Sequence, residues 1–149
     1  MSILFTNGSP NKDGNTVQLS RELLGDKDCK QFDLVDYQIN AYGQDLPGDR
    51  FDEVLSEFKK ADVVVIGSPV YWYGLSGQLR TLLDRFYGPV EEGGMSGKDL
   101  VFLFQGHAPT QDMLNWGEYT MKGFCRLYGM RYLGMATTAA EARKLGSVL

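Results

Sequence analysis

The sequence predicts an α/β protein: a doubly wound sheet of five parallel strands in the order 2-1-3-4-5, with helices on both faces. Three observations predict it. Short apolar runs alternate along the 149 residues with segments whose apolar residues recur every three or four positions, the pattern of repeated βαβ units. Two of the runs, Val63-Val64-Val65-Ile66 and Leu100-Val101-Phe102-Leu103-Phe104, are unbroken, as expected of central strands covered on both faces. Two others carry polar interruptions: Gln31-Phe32-Asp33-Leu34 alternates, and Arg131 breaks the run from Met130 to Ala136. These belong at the edges, and right-handed crossovers that leave the second and fifth strands outside give the order 2-1-3-4-5.

The elements follow in sequence. Ile3-Leu4-Phe5 is the first strand, and Val17, Leu19, Leu23 and Leu24 mark the first helix. After the second strand, Phe51, Val54, Leu55 and Phe58 form one helical stripe, with Asp52, Glu53, Glu57, Lys59 and Lys60 elsewhere on the wheel. Leu79, Leu82, Leu83 and Phe86 form the stripe of the third helix, and Trp116, Thr120, Phe124 and Leu127 that of the fourth. Only Thr138 to Leu149 follow the fifth strand, so the last helix should be short. A single domain over 1–149 is expected, large enough to bury a core.

Composition narrows the function. The formal net charge is -4 and no stretch collects Lys and Arg, which argues against nucleic acid and anionic membranes and for a small-molecule partner. No apolar run is long enough to span a bilayer, and no export signal is visible at the N-terminus, so a cytoplasmic location is expected. Cys29 and Cys125 lack C-x-x-C spacing, so neither a disulfide framework nor a metal site is expected.

Chemistry concentrates in two loops. Gly8-Ser9-Pro10-Asn11-Lys12-Asp13-Gly14-Asn15-Thr16 lies where the first strand hands over to the first helix. The opening amides of that helix, its dipole and the hydroxyls of Ser9 and Thr16 favour an anion. The loop is not a nucleoside-triphosphate loop, G-x-x-x-x-G-K-[ST], because five residues separate its glycines and Asn15 replaces the lysine. The dinucleotide pattern G-x-G-x-x-G is absent too. A monophosphate fits best; the other reading is a plain helix entry, with Asn15 or Thr16 as cap and Gly14 as turn.

The second loop, Ser68-Pro69-Val70-Tyr71-Trp72-Tyr73-Gly74, follows the third strand. The strand order puts it beside the phosphate loop at the switch point where ligands bind. Three successive aromatics could stack a flat conjugated ring there, or could serve a dimer interface.

These residues resemble the flavodoxin-like NAD(P)H-dependent FMN reductases, a family that includes quinone, azo and flavin reductases. Gly8-Ser9-Pro10 through Gly14-Asn15-Thr16 is similar to the family phosphate loop, and Ser68-Pro69-Val70-Tyr71 through Gln78-Leu79-Arg80, with Leu82-Leu83-Asp84-Arg85 after it, is similar to a longer family segment. With the element order, the likeness covers nearly the whole chain.

The resemblance implies that Ser9, Asn11, Asn15, Thr16 and the amide of Val17 hold the phosphate of FMN. It implies that Pro69, Val70, Tyr71, Trp72, Tyr73 and Gly74 line the isoalloxazine ring. Gln105, Gly106 and His107 correspond to the segment passing the pyrimidine side, where Gly106 admits close approach and His107 could donate to the O2/N1 edge as charge develops. NAD(P)H would be the co-substrate and a quinone, a flavin or a similar small molecule the acceptor. No side chain need act as acid or base.

The chain also departs from the pattern. Asn11 and Lys12 stand where the family often has Arg, and the segment from Asp36 to Gly48 lacks the cysteines of the iron-sulfur flavoprotein branch. The thin C-terminus leaves a sheet face that a partner subunit would cover, so a homodimer or higher homo-oligomer is expected. The alternative function is a flavodoxin-type one-electron carrier. Carriers resemble T-G-N-T loops and crowd acidic residues around the flavin, whereas this loop is Gly-Ser-Pro and Lys12, Arg80 and Arg85 are expected at the rim. A receiver domain would need Asp where Gly67-Ser68-Pro69 stands, and a low-molecular-weight phosphatase would need a C-x5-R loop.

Overall fold

The computed structural model describes every residue from Met1 to Leu149. The elements are β1 (Ile3–Asn7), α1 (Asn15–Leu24), β2 (Lys30–Asp33) with a 3-10 turn at Leu34–Asp36, α2 (Phe51–Lys60), β3 (Val63–Pro69), α3 (Gly77–Asp84), β4 (Asp99–Gln105), α4 (Gln111–Tyr128), β5 (Arg131–Ala136) and α5 (Ala139–Gly146). The strands are parallel throughout and lie in the order β2-β1-β3-β4-β5, as expected from the polarity of the two edge strands.

Alternation along the central strands divides the core into two layers. Leu4, Val64, Ile66, Leu100, Phe102 and Phe104 face α2, α3 and α4, while Ile3, Phe5, Val63, Val65, Val101 and Leu103 face α1 and α5. The first layer is aromatic at its centre, where Phe86 meets Phe51, Phe58 and Phe124 edge-on with centroids 5.0 to 5.8 Å apart. β5 is held at the edge by the Arg131 guanidinium, which donates twice to Asp99 on β4, each at 2.7 Å. No helix is long and apolar enough to cross a membrane.

One stripe differs from expectation. In α4 the buried residues are Gly117, Met121, Phe124, Cys125 and Tyr128, whereas Trp116 and Leu127 are exposed. The rotation comes from Gly117. A β-carbon there would stand 2.1 Å from the Phe104 ring, so the helix rests on the sheet through its backbone and turns Trp116 outward. Burial among these side chains pushes the Cys125 thiol up to about 12, which leaves it unreactive.

Candidate functional site

Polar residues are rare in the interior, and their placement is uneven. Eight are buried, and six of them, Thr6, Asn7, Ser9, Thr16, Ser68 and Ser76, gather at the carboxyl ends of β1 and β3 and in the loops that follow. Burying so many hydroxyl and amide groups at one spot costs stability unless they are partnered; all but the Thr6 hydroxyl are, and the partners tie three loops together.

The phosphate loop is fastened from both sides. Gly8 N–H donates to the Gly67 carbonyl at 2.8 Å, and the Ser76 hydroxyl donates to the Gly8 carbonyl at 2.6 Å. A β-carbon on Gly8 would lie 2.8 Å from that Gly67 oxygen, so the two loops meet this closely only through glycine. On the other side, Asn11 N–H donates to Ser9 Oγ at 3.1 Å and the Gln105 carboxamide donates to Thr16 Oγ1 at 3.1 Å. The loops after β3 and β4 are joined in turn by Val70 N–H donating to the Gln105 carbonyl at 2.8 Å.

α1 begins without a side-chain cap. Gly14 is its N-cap and makes no side-chain bond, so neither Asn15 nor Thr16 caps the helix; they are its first two residues. The first amides therefore have no acceptor within the helix and face the loop together with the hydroxyls of Ser9 and Thr16. Amides at a helix start, hydroxyls and carboxamides form a donor set that suits a phosphate monoester.

The aromatic loop is a tight hairpin. Tyr71 and Gly74 exchange both backbone hydrogen bonds at 3.0 Å, and the two residues between them have positive φ, 45° at Trp72 and 66° at Tyr73. Trp72 is 94% exposed, and Tyr71 and Tyr73 are also exposed. Val70, Trp72, Tyr73, Gly106, His107, Pro109 and Met113 border a cleft of about 330 Å³. His107 is exposed on its rim. The structure thus brings the segments around Ser9–Val17, Pro69–Gly74 and Gln105–His107 to one edge of the sheet.

The charges expected at the rim are arranged otherwise. Lys12 is 2.6 Å from Asp36, Arg80 is 3.3 Å from Asp84, and Arg85 donates to both Asp49 oxygens and to the Asn40 carbonyl. Arg85 also lies at the far end of α3, about 13 Å of helix rise from Ser76, with its guanidinium over the Phe51 ring. It belongs to the α2–α3 packing, where it holds the Asp49 carboxyl below the ordinary carboxylate value. The three cations are each matched by a carboxylate, so their charge does not set this edge apart from an acidic flavodoxin rim.

Sequence reasoning missed Asn7, Ser68 and Ser76. Ser76 caps α3 by accepting from Leu79 N–H as well as holding Gly8, and its own N–H donates to Ser68 Oγ at 3.0 Å. The signal was present as polar residues interrupting or ending otherwise apolar strands, Thr6-Asn7 in β1 and Ser68 in β3.

Comparison with known proteins fits this geometry. The family model described as NADPH-dependent FMN reductase matches residues 1–140. An iron-sulfur flavoprotein of Methanocaldococcus jannaschii is 34% identical over 57% of this chain and 51% of its own length. An FMN-dependent NADH:quinone oxidoreductase of Methylorubrum extorquens is 43% identical over 30% of this chain and 26% of its own. The chain thus spans about half the length of the first of these proteins and about a quarter of the second. Among solved structures, the Trp repressor binding protein from Bacillus subtilis superposes with a TM-score of 0.80 over 97% of both chains at 18% identity, which shows a shared fold.

Proposed function

The chain belongs to the NADPH-dependent FMN reductase family, and from that premise we propose that it is an FMN-dependent oxidoreductase that draws electrons from NAD(P)H and passes them to a small acceptor such as a quinone or a flavin. One observation carries the reading: the uncapped start of α1 and the buried hydroxyls beside it are hydrogen-bonded into the same unit as an open, aromatic-bordered cleft. The first half suits the phosphate of FMN and the second its ring.

Ser9, Asn11, Asn15, Thr16 and the Val17 amide would hold the phosphate, with Gln105 fixing the Thr16 hydroxyl. Pro69, Val70, Tyr71, Trp72, Tyr73 and Gly74 would line the ring, and Gly106 and His107 its pyrimidine edge. Bound FMN would supply the redox chemistry between a nicotinamide and the acceptor. The chain's tasks are to anchor the phosphate, to present one ring face to both substrates in turn, and to offer His107 as a donor at the edge where negative charge grows. One phosphate cradle and the family itself favour FMN over FAD. The acceptor class rests on the names of the relatives, several of which are NADH:quinone oxidoreductases, and a second copy of the chain is the expected partner.

The test is a pair of measurements on purified protein. It should bind FMN, and anaerobic NADH or NADPH should then bleach the bound flavin in one phase to its two-electron reduced form. Failure to bind FMN at micromolar concentration would remove the proposal. Binding without reduction by either nucleotide, with reduction only by dithionite, would identify a flavodoxin-type carrier instead.

A further inference from the structure

Asn7, the last residue of β1, is completely buried, and its carboxamide is engaged at both ends. Its oxygen accepts from Ser9 N–H at 3.0 Å. Its NH₂ group donates to the Asn11 carbonyl at 3.1 Å and to Asp33 Oδ1, at the end of β2, at 2.8 Å. Asp33 is steadied in turn by the Gln31 carboxamide at 2.9 Å, which also donates to the Lys12 carbonyl at 3.3 Å. One buried side chain therefore grips the phosphate loop at two backbone atoms and ties it to the edge strand.

We propose that Asn7, anchored by Asp33, is the positioning residue that sets the phosphate loop in its anion-binding shape. The inference rests on the FMN reading above and adds a residue that would not itself touch the phosphate. Because Asn7 consumes the Ser9 amide, that amide is withdrawn from the ligand, and only the Ser9 hydroxyl faces it. Asn11 N–H is likewise spent, on Ser9 Oγ, so the donors left for the phosphate are the Ser9 hydroxyl, the Asn11 carboxamide and the groups from Lys12 to Val17. Asn is suited to the position because it must accept at one end and donate twice at the other. Asp has no donor when ionised, and Ser is too short to reach both sides.

The variant Asn7→Asp tests this through its pH dependence. Its carboxylate can still accept from Ser9 N–H, but it meets the Asp33 carboxylate where a hydrogen bond stood, and two carboxylates at that separation cannot both ionise readily. The other charged groups facing them are Lys12 of the loop and Asp36 of the following turn, which pair with each other. β3, on the other flank of β1, presents only Gly67 opposite Asn7.

Relative to wild type at the same pH, FMN affinity of Asn7→Asp should fall about tenfold or more near pH 8. It should recover in part near pH 5, where one shared proton restores the link to residue 33. The double variant Asn7→Asp/Asp33→Asn exchanges donor and acceptor across that same contact and should remove the pH dependence and restore part of the affinity, the Asn11 carbonyl still lacking its donor. Asp33→Ala, at a half-buried edge position, should weaken FMN severalfold with an almost unchanged melting temperature, and keeps the test available if Asn7→Asp fails to fold. Affinity of Asn7→Asp that is equal to wild type, or reduced equally at both pH values without rescue by Asp33→Asn, overturns the assignment. So does an Asp33→Ala variant that binds like wild type. Wild-type protein that binds no FMN would count instead against the proposed function.

Discussion

Trp72 and Tyr73 occupy the two central positions of a type I′ hairpin turn, with φ of 45° and 66°. That turn ordinarily takes Asn-Gly, because a side chain in the left-handed region costs about 1–2 kcal/mol. A Trp-Tyr pair at these positions holds strain in the segment that presents aromatic surface to the cleft, a common location for such strain. Nothing in the sequence signalled the turn; the residues read as an aromatic platform, and the geometry that makes them one was hidden because neither is a turn former. Tyr73→Gly should relieve the strain, offset in part by the added freedom of glycine in the unfolded chain, for a net gain of about 0.5–1 kcal/mol. For a chain of this size that is roughly 1–4 °C in melting temperature. Calorimetry on the ligand-free protein checks it, and an unchanged or lower value would mean that the turn is held without strain.

At the scale of elements, the sheet was legible because burial on two faces leaves a direct mark in composition: unbroken runs in β3 and β4, interrupted ones in β2 and β5. The helices of the first layer were legible from their stripes, except for α4. Of the stripe Trp116, Thr120, Phe124 and Leu127 only Phe124 packs into the core, because contact with the sheet is decided by the smallest residue. Gly117 lets the backbone approach Phe104, and side-chain size is what a stripe of large residues cannot report. The two glycines of α4 therefore have opposite consequences. Gly117→Ala drives a β-carbon into the Phe104 ring and should cost about 1–3 kcal/mol through overpacking. Gly123→Ala meets nothing within 4 Å and should gain up to about 1 kcal/mol from helix propensity in protein diluted to monomer. Urea unfolding of both variants decides the matter; equal effects would contradict this seating of the helix. The site was legible to the same extent as the fold. Loops whose residues bind through their own local chemistry, Ser9 to Thr16 and Pro69 to Gly74, stand out, whereas Asn7 and Ser76 reach Asp33 and Gly8, far away in sequence, and become visible only once β1, β2 and β3 are side by side.

For the molecule as a whole, exposed aromatic surface is concentrated on one side. Tyr42 stacks edge-on against Tyr87, and Tyr87, Arg80, Thr120 and Leu127 border one groove between α3 and α4. Arg80, Thr120, Trp116 and Gly74 border the next, which leads to the Trp72 hairpin, while Tyr119 is 76% exposed on the adjoining ridge. Tyr42, Tyr87, Trp116 and Tyr119, at roughly 200 Å² for a full ring, put on the order of 500 Å² of exposed aromatic surface along this band. That is well over half of the roughly 800 Å² per partner of a stable interface, and a monomer seldom leaves an apolar patch of this size without a role. The groove also carries a cation and an anion of its own, Arg80 and Asp84, so a second copy related by a two-fold axis could match charges as well as cover the rings. The chain should therefore be a dimer at micromolar concentration through the α3–α4 face. Trp116→Arg is the decisive variant, since Trp116 is exposed and the monomer fold does not depend on it. A central interface tryptophan is worth about 2 kcal/mol or more, and two-fold symmetry counts it twice, so dissociation should strengthen by roughly a thousandfold. Sedimentation equilibrium reads this directly. A wild type that stays monomeric, or a Trp116→Arg variant that dimerises as tightly as wild type, would mean that the band meets some other partner or none.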